Sequence, residues 1–75
     1  MVEYITKDQL EELSEADSFD KYEYHKLLKE YAGIVAEPYT GYSYYDEAGN
    51  FIGDSDYSSA EDLIKEAYIK VVDNG

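Results

Sequence analysis

Apolar positions in the first third of the chain recur at helical spacing. Thr6 stands as an N-cap, Gln9 sits three residues on, where a capping-box partner reaches back, and Ile5 with Leu10 has the spacing of a hydrophobic staple. Leu10 and Leu13 then mark one buried stripe, which predicts a short helix over Lys7 to Glu15. Asp17, Ser18 and Asp20 interrupt the stripe and offer caps for a second helix. Its apolar positions Tyr24, Leu27, Leu28 and Tyr31 share one face, and Gly33 follows as the left-handed residue that closes it, so the helix is expected over Phe19 to Ala32.

The period changes at Ile34. Ile34 to Ala36 reads as a short strand, and Pro38 keeps it from a central place in a sheet. Strand-forming residues dominate from Tyr39 to Tyr45, the turn formers Asp46 to Asn50 follow, and an apolar run resumes, which predicts a hairpin of Thr40 to Tyr45 against Asn50 to Asp54. A two-stranded hairpin is not stable alone, so either a helix covers its apolar face or the 34–36 strand joins it. After a polar loop, Ser58 and Glu61 form a second capping-box pattern. Leu63, Ile64, Ala67, Tyr68 and Val71 lie on one helical face beyond it, favouring a third helix over Ser59 to Val72 ahead of a terminal strand at Val71-Val72. Two helices, a hairpin with a possible third strand, and a final helix around one small core make an α+β fold, expected as one domain over residues 1–75.

Composition adds that this core is built under constraint. A chain of 75 residues buries only about 60 % of the surface its unfolded form exposes, and without cysteine it has no disulfide or thiolate–metal staple. Ten tyrosines and two phenylalanines supply much of the apolar bulk. A tyrosine ring is buried at low cost only when its hydroxyl finds a partner or reaches water, so several of the ten are expected at the surface. The opening Met-Val-Glu-Tyr-Ile lacks the basic and apolar runs of a signal peptide, and no stretch reaches the roughly 20 apolar residues of a membrane span; a cytoplasmic location with no membrane partner is the expectation.

Charge narrows the function. The formal net charge is -12, which excludes nucleic acid as a direct ligand. It is unevenly placed: residues 1–20 hold seven acids and one lysine, residues 21–36 three lysines and two acids, residues 37–62 seven acids and no base, and residues 63–75 equal numbers of each. Asp46, Glu47, Asp54, Asp56, Glu61 and Asp62 fall within seventeen residues, with Tyr42 and Tyr44 just before them and Tyr57 among them. Duplex DNA carries one phosphate charge per roughly 1.7 Å of axis, so a protein competing for a DNA-binding groove needs such a dense row of carboxylates. If the first helix shares a face with the hairpin, the two acidic segments form one patch; if not, solubility accounts for them.

Catalytic and metal chemistry find no support. Asp54, Asp56 and Ser58 alternate as in a calcium loop, but Ser59 stands where the loop needs glycine and Lys65 where a glutamate closes the site. Asp46, Asn50 and Asp54 fit no better, since Phe51 replaces the glycine. His25 is the lone histidine, and no glycine-rich phosphate loop is present, so no catalytic residue, metal or cofactor is assigned. Tyr44 to Asn50 resembles one unit of the tyrosine-aspartate repeats of large secreted shell-forming proteins; the segment occurs once, and no function is carried over from it.

The expectation is therefore a non-enzymatic protein-binding module with a basic protein partner. Its most concrete form is an acidic nucleic-acid mimic that inhibits a nucleic-acid-processing enzyme, in the manner of phage or mobile-element anti-CRISPR and anti-restriction proteins. The partner-binding residues would be Tyr42, Tyr44, Asp46, Glu47, Asp54, Asp56, Tyr57, Glu61 and Asp62. The alternative is a small structural or regulatory protein that self-associates through surface tyrosines, its acidity serving solubility, so the chain is either a monomer or a homodimer.

Overall fold

The computed structural model describes residues 2–73. In chain order it contains β1 (Tyr4–Thr6), α1 (Lys7–Phe19), α2 (Lys21–Ala32), β2 (Val35–Pro38), β3 (Tyr42–Tyr45), β4 (Phe51–Asp54), α3 (Ala60–Glu66) and β5 (Lys70–Val72). The fold is α+β, as the sequence implies. Strands β2, β3 and β4 form an antiparallel sheet in that order, so the 34–36 segment does join the hairpin, beginning one residue later and running to Pro38. Pro38 lies on this edge strand, the position a residue without an N–H tolerates.

The capping box at α1 forms as expected. The Gln9 N–H donates to Thr6 Oγ1 at 3.1 Å, and Gln9 Oε1 accepts the Thr6 N–H at 2.9 Å. The helix continues beyond Glu15 to Phe19, and Asp20 alone serves as the junction: its N–H closes α1 on Ala16, and its carboxylate accepts the Tyr22 N–H to start α2. α1 and α2 pack side by side, joined by the Tyr31 hydroxyl donating to Glu12 at 2.6 Å. Gly33 ends α2 at φ 69°, and a side chain there would also collide with Glu47.

Two features depart from the expected pattern. β1 pairs in parallel with β5, Ile5 opposite Val71, so the chain's two ends are zipped together by strands too short to show a period. And α3 stops at Glu66, well short of Val72, with its capping box on Ser59 and Asp62 in place of Ser58 and Glu61. The helix terminates in a Schellman arrangement: the Tyr68 N–H bonds Lys65 O and the Ile69 N–H bonds Ile64 O, each at 3.0 Å. That reversal turns Ile69 into the core and releases Lys70 to Val72 to pair with β1, burial that continuing the helix would forfeit.

The core gathers Ile5, Leu13, Leu27, Leu28, Ile34, Leu63 and Ile64 with the rings of Tyr24 and Tyr44. Leu10 packs against it, so both members of the expected staple serve the interior. α3 approaches the three-stranded sheet at Gly53, where a Cβ would stand 2.6 Å from the Leu63 side chain and 2.5 Å from Ser58 Oγ. Among the described residues no helix is long and apolar enough to cross a membrane.

Tyr68 occupies the position in the Schellman turn that usually belongs to glycine, at φ 58° and with its side chain 92 % exposed. A non-glycine residue in the left-handed region costs about 1–2 kcal/mol, and no buried contact of the ring compensates here. Tyr68→Gly is expected to raise unfolding stability by about 1 kcal/mol in urea denaturation, after allowing for the greater freedom of glycine in the unfolded chain. A destabilisation of similar size would show that the ring contributes to the fold.

Candidate functional site

β3 alternates its side chains between the two faces of the sheet, and this decides the fate of the expected tyrosines. Tyr44 turns inward and is fully buried, its ring edge-on to Tyr24 at 6.4 Å and its hydroxyl 3.0 Å from His25 Nε2. Tyr42 is half-buried beside it, its ring centred 4.3 Å from the His25 imidazole. Both rings mount the sheet on α2, so Tyr44 presents no surface to a partner and Tyr42 only part of one. Burial, and next the charge of Lys21, hold His25 below its ordinary pKa against the opposing pull of Asp17. The neutral imidazole and the Tyr44 hydroxyl then share one hydrogen bond, the tautomer deciding which donates. Burial pushes the Tyr44 hydroxyl up to about 12, with Asp17 adding to it.

The six hairpin and loop carboxylates divide by task. Asp46 Oδ1 accepts the Asn50 N–H at 2.8 Å and Oδ2 the Asn50 side-chain amide at 3.3 Å, which closes the β3–β4 turn and lowers the Asp46 pKa. Glu47 Oε1 accepts the Val2 N–H at 2.8 Å, tying the turn to the chain's beginning. Asp54 accepts the Tyr39 hydroxyl on Oδ2 and the Asp56 N–H on Oδ1 at 2.9 Å, and the former bond does most to lower its pKa. Asp62 accepts the Ser59 N–H at 3.3 Å in the α3 capping box. The carboxylates of Asp56 and Glu61 are exposed and have no hydrogen-bond or ion-pair partner among the described residues. Tyr57, next to Asp56, projects with 87 % of its surface exposed, near Tyr39.

The site is thus an ordered β4–α3 loop, residues 54–59. Asp54 organises it from within: its carbonyl accepts the N–H groups of Tyr57 and Ser58 at 3.1 and 2.9 Å, while its own N–H donates to Ser58 Oγ at 3.2 Å. Tyr39, Asp56 and Tyr57 form its outward surface, and Glu61 stands beyond it in the first turn of α3, lining a groove with Lys65, Tyr68 and Lys70. Tyr39 is not among the residues expected from sequence; its position before the hairpin carries no signal, because its bond to Asp54 spans fifteen residues.

The acids of the first block divide: Glu3 lines a groove with Asp46 of the hairpin, whereas acids of α1 line another. α1 packs against α2, α3 and the β1–β5 pair, whereas the three-stranded sheet is held by α2 and α3. Glu12, Glu15 and Asp20, joined by Glu23 of the next block, rim a groove between α1 and α2 that also includes Phe19, 95 % exposed, and no hairpin residue. Sequence spacing places Phe19 at the start of the second helix, and the structure corrects this. As the end of α1 it stands six residues past Leu13, about 240° round the helix and off the buried stripe.

Two hydroxyls with contrasting surroundings supply a first test. The Tyr44 hydroxyl is paired with His25, whereas that of Tyr24 is buried with no protein partner among the described residues. Tyr44→Phe is expected to cost about 1 kcal/mol of stability, and Tyr24→Phe to be neutral or to gain up to about 1 kcal/mol, both read by urea unfolding. A second test is electrostatic. The hydrogen bond to Asp54 raises the Tyr39 pKa from 10.0 to about 12, so its contribution to stability is present below pH 10 and lost as pH climbs through about 12. The same bond lowers the Asp54 pKa from 3.8, so that contribution is present above pH 3.8 and lost as pH falls below it. In Tyr39→Phe the Asp54 titration midpoint, followed by NMR, should move up toward 3.8. An unmoved midpoint would mean that the backbone N–H of Asp56 alone sets it.

No family model matches the chain, and neither a curated protein nor a solved structure matches it, so its function is argued from its own residues.

Proposed function

We propose that this chain is a protein-binding module without catalytic activity, whose β4–α3 loop and flanking hairpin engage a basic protein partner. The observation that carries this is Tyr57, 87 % exposed beside the uncommitted carboxylate of Asp56, in a loop that Asp54 and Ser58 hold in one shape. A preshaped loop loses little conformational entropy on binding, and an exposed tyrosine adds large contact area with only two rotatable side-chain angles. Charge directs the partner's chemistry: no lysine or arginine occurs from residue 37 to residue 62, so this surface repels acidic proteins and attracts a basic groove.

The concrete form of the proposal is a cytoplasmic inhibitor that occupies the nucleic-acid groove of a larger enzyme, of the anti-restriction or anti-CRISPR kind. Four of the six carboxylates expected to imitate phosphates, Asp46, Glu47, Asp54 and Asp62, also hold the hairpin and its loop in place. Their charge remains part of the field, but Asp56 and Glu61 are the positions where charge can be changed without unmaking the loop. A self-associating protein is the second reading, favoured by exposed Tyr4, Tyr68 and Val71 clustered on the β1–β5 pair.

Displacement of labelled duplex DNA from a panel of restriction endonucleases and CRISPR effector complexes tests the first reading. The chain should displace DNA from at least one member, and Asp56→Lys with Glu61→Lys should weaken it about tenfold and flatten its salt dependence. Unchanged affinity in the double variant would sink the electrostatic reading. A stable dimer in sedimentation at micromolar concentration, with no displacement across the panel, would favour self-association.

A further inference from the structure

α2 is divided lengthwise by charge. Glu23 joins the acids of α1 at one groove, while Lys26 and Lys29 lie on the opposite side, facing β2. There they line a second groove of about 540 Å³ together with Tyr22, His25, Val35 and Tyr42, and no carboxylate. In the acidic chain this is a local reversal: neither lysine has an ion-pair partner among the described residues, whereas Lys7 and Lys21 are paired with Asp73 and Asp17. Glu23, three residues before Lys26 on the same helix, lines the groove on the α1 side instead, and no carboxylate lines the groove of Lys26 and Lys29. Its other wall is β2, the edge strand of the β2-β3-β4 sheet, whose outer side carries unpaired backbone groups.

We propose that this groove docks an extended, acidic segment of a partner protein, which adds alongside β2 and places carboxylates on Lys26 and Lys29. The geometry matches an extended chain. Lysines three apart on a helix have Cβ atoms about 5–6 Å apart, and alternate side chains of a strand recur about every 6.7 Å, a difference that lysine side chains absorb. Residues alternating with the carboxylates point to the other face of the added strand, and strand addition supplies main-chain hydrogen bonds. The groove is opposite in charge to the surface assigned above and does not depend on that assignment. A chain with both surfaces would bridge a basic and an acidic partner.

The test uses the whole chain, labelled with ¹⁵N, titrated with a blocked seven-residue peptide of alternating valine and glutamate, with the same peptide carrying lysine for glutamate, and with inorganic phosphate. The glutamate peptide is expected to shift the amides of Tyr22, Lys26, Lys29, Val35 and Ala36 saturably. Lys26→Glu with Lys29→Glu should weaken it about tenfold, the loss of two exposed charge contacts. Lys26→Gln with Lys29→Gln removes the charge without adding repulsion and should weaken it in the same direction, which covers a failure of the first pair to fold. Asp56→Lys with Glu61→Lys should leave this binding unchanged while altering displacement of DNA, so the two surfaces fail or stand separately. The proposal is overturned if the glutamate peptide causes no shifts, if the lysine peptide or phosphate alone reproduces them, or if neither lysine pair weakens binding.

Discussion

The contact on which the rest of the surface depends is the seating of β3 on α2, where Tyr44 is buried against Tyr24 and shares a hydrogen bond with His25. A three-stranded sheet of four-residue strands has little stability of its own, and here one face of it is closed by aromatic rings whose polar ends need partners. His25 supplies that partner to Tyr44 and lays its own ring beside Tyr42, so a single imidazole satisfies the buried hydroxyl and completes the packing. Both surfaces argued to bind proteins are hung from this junction. The β4–α3 loop is positioned by the sheet, and the lysine groove lies where α2 meets β2.

The acidic residues have a double character that net charge conceals. Asp46, Glu47, Asp54 and Asp62 accept backbone N–H groups from a turn, the chain's beginning, a loop and a helix end. A carboxylate in such a position is stabilised in its charged form, as the lowered pKa values of Asp46 and Asp54 record. The field of the hairpin is therefore the field of a folded scaffold, and its charges cannot be removed one at a time without touching the shape that presents them. Asp56 and Glu61 are the exceptions, the one beside the exposed Tyr57 in the loop and the other in the first turn of α3.

Much of the fold was legible along the chain. Thr6 and Gln9 started the first helix, Gly33 ended the second, and the turn formers from Asp46 to Asn50 placed the hairpin, because each acts through neighbours within a few residues. The third helix misled for the opposite reason. Ala67, Tyr68 and Val71 do continue a helical period, but the period records local spacing only, and the parallel partner that draws Val71 into a strand is Ile5. Of the expected binding residues, Glu47, Asp56, Tyr57, Glu61 and Asp62 stand at the surface, Tyr42, Asp46 and Asp54 are half-buried, and Tyr44 belongs to the core.

Residue order alone determined the fold class, the start of α1, the close of α2, the turn and the uneven distribution of charge, since all of these depend on residue type and short spacing. Tertiary packing decided which tyrosines are buried, which carboxylates are left uncommitted, and that α1 and the hairpin line different grooves. It also divided the nearly neutral second helix into an acidic and a basic side. The physical reason is common to all of them: a side chain's burial and partners are set by elements far away in the chain. Tyr44 with His25, Tyr39 with Asp54, and β1 with β5 are pairings that neither period nor composition announces.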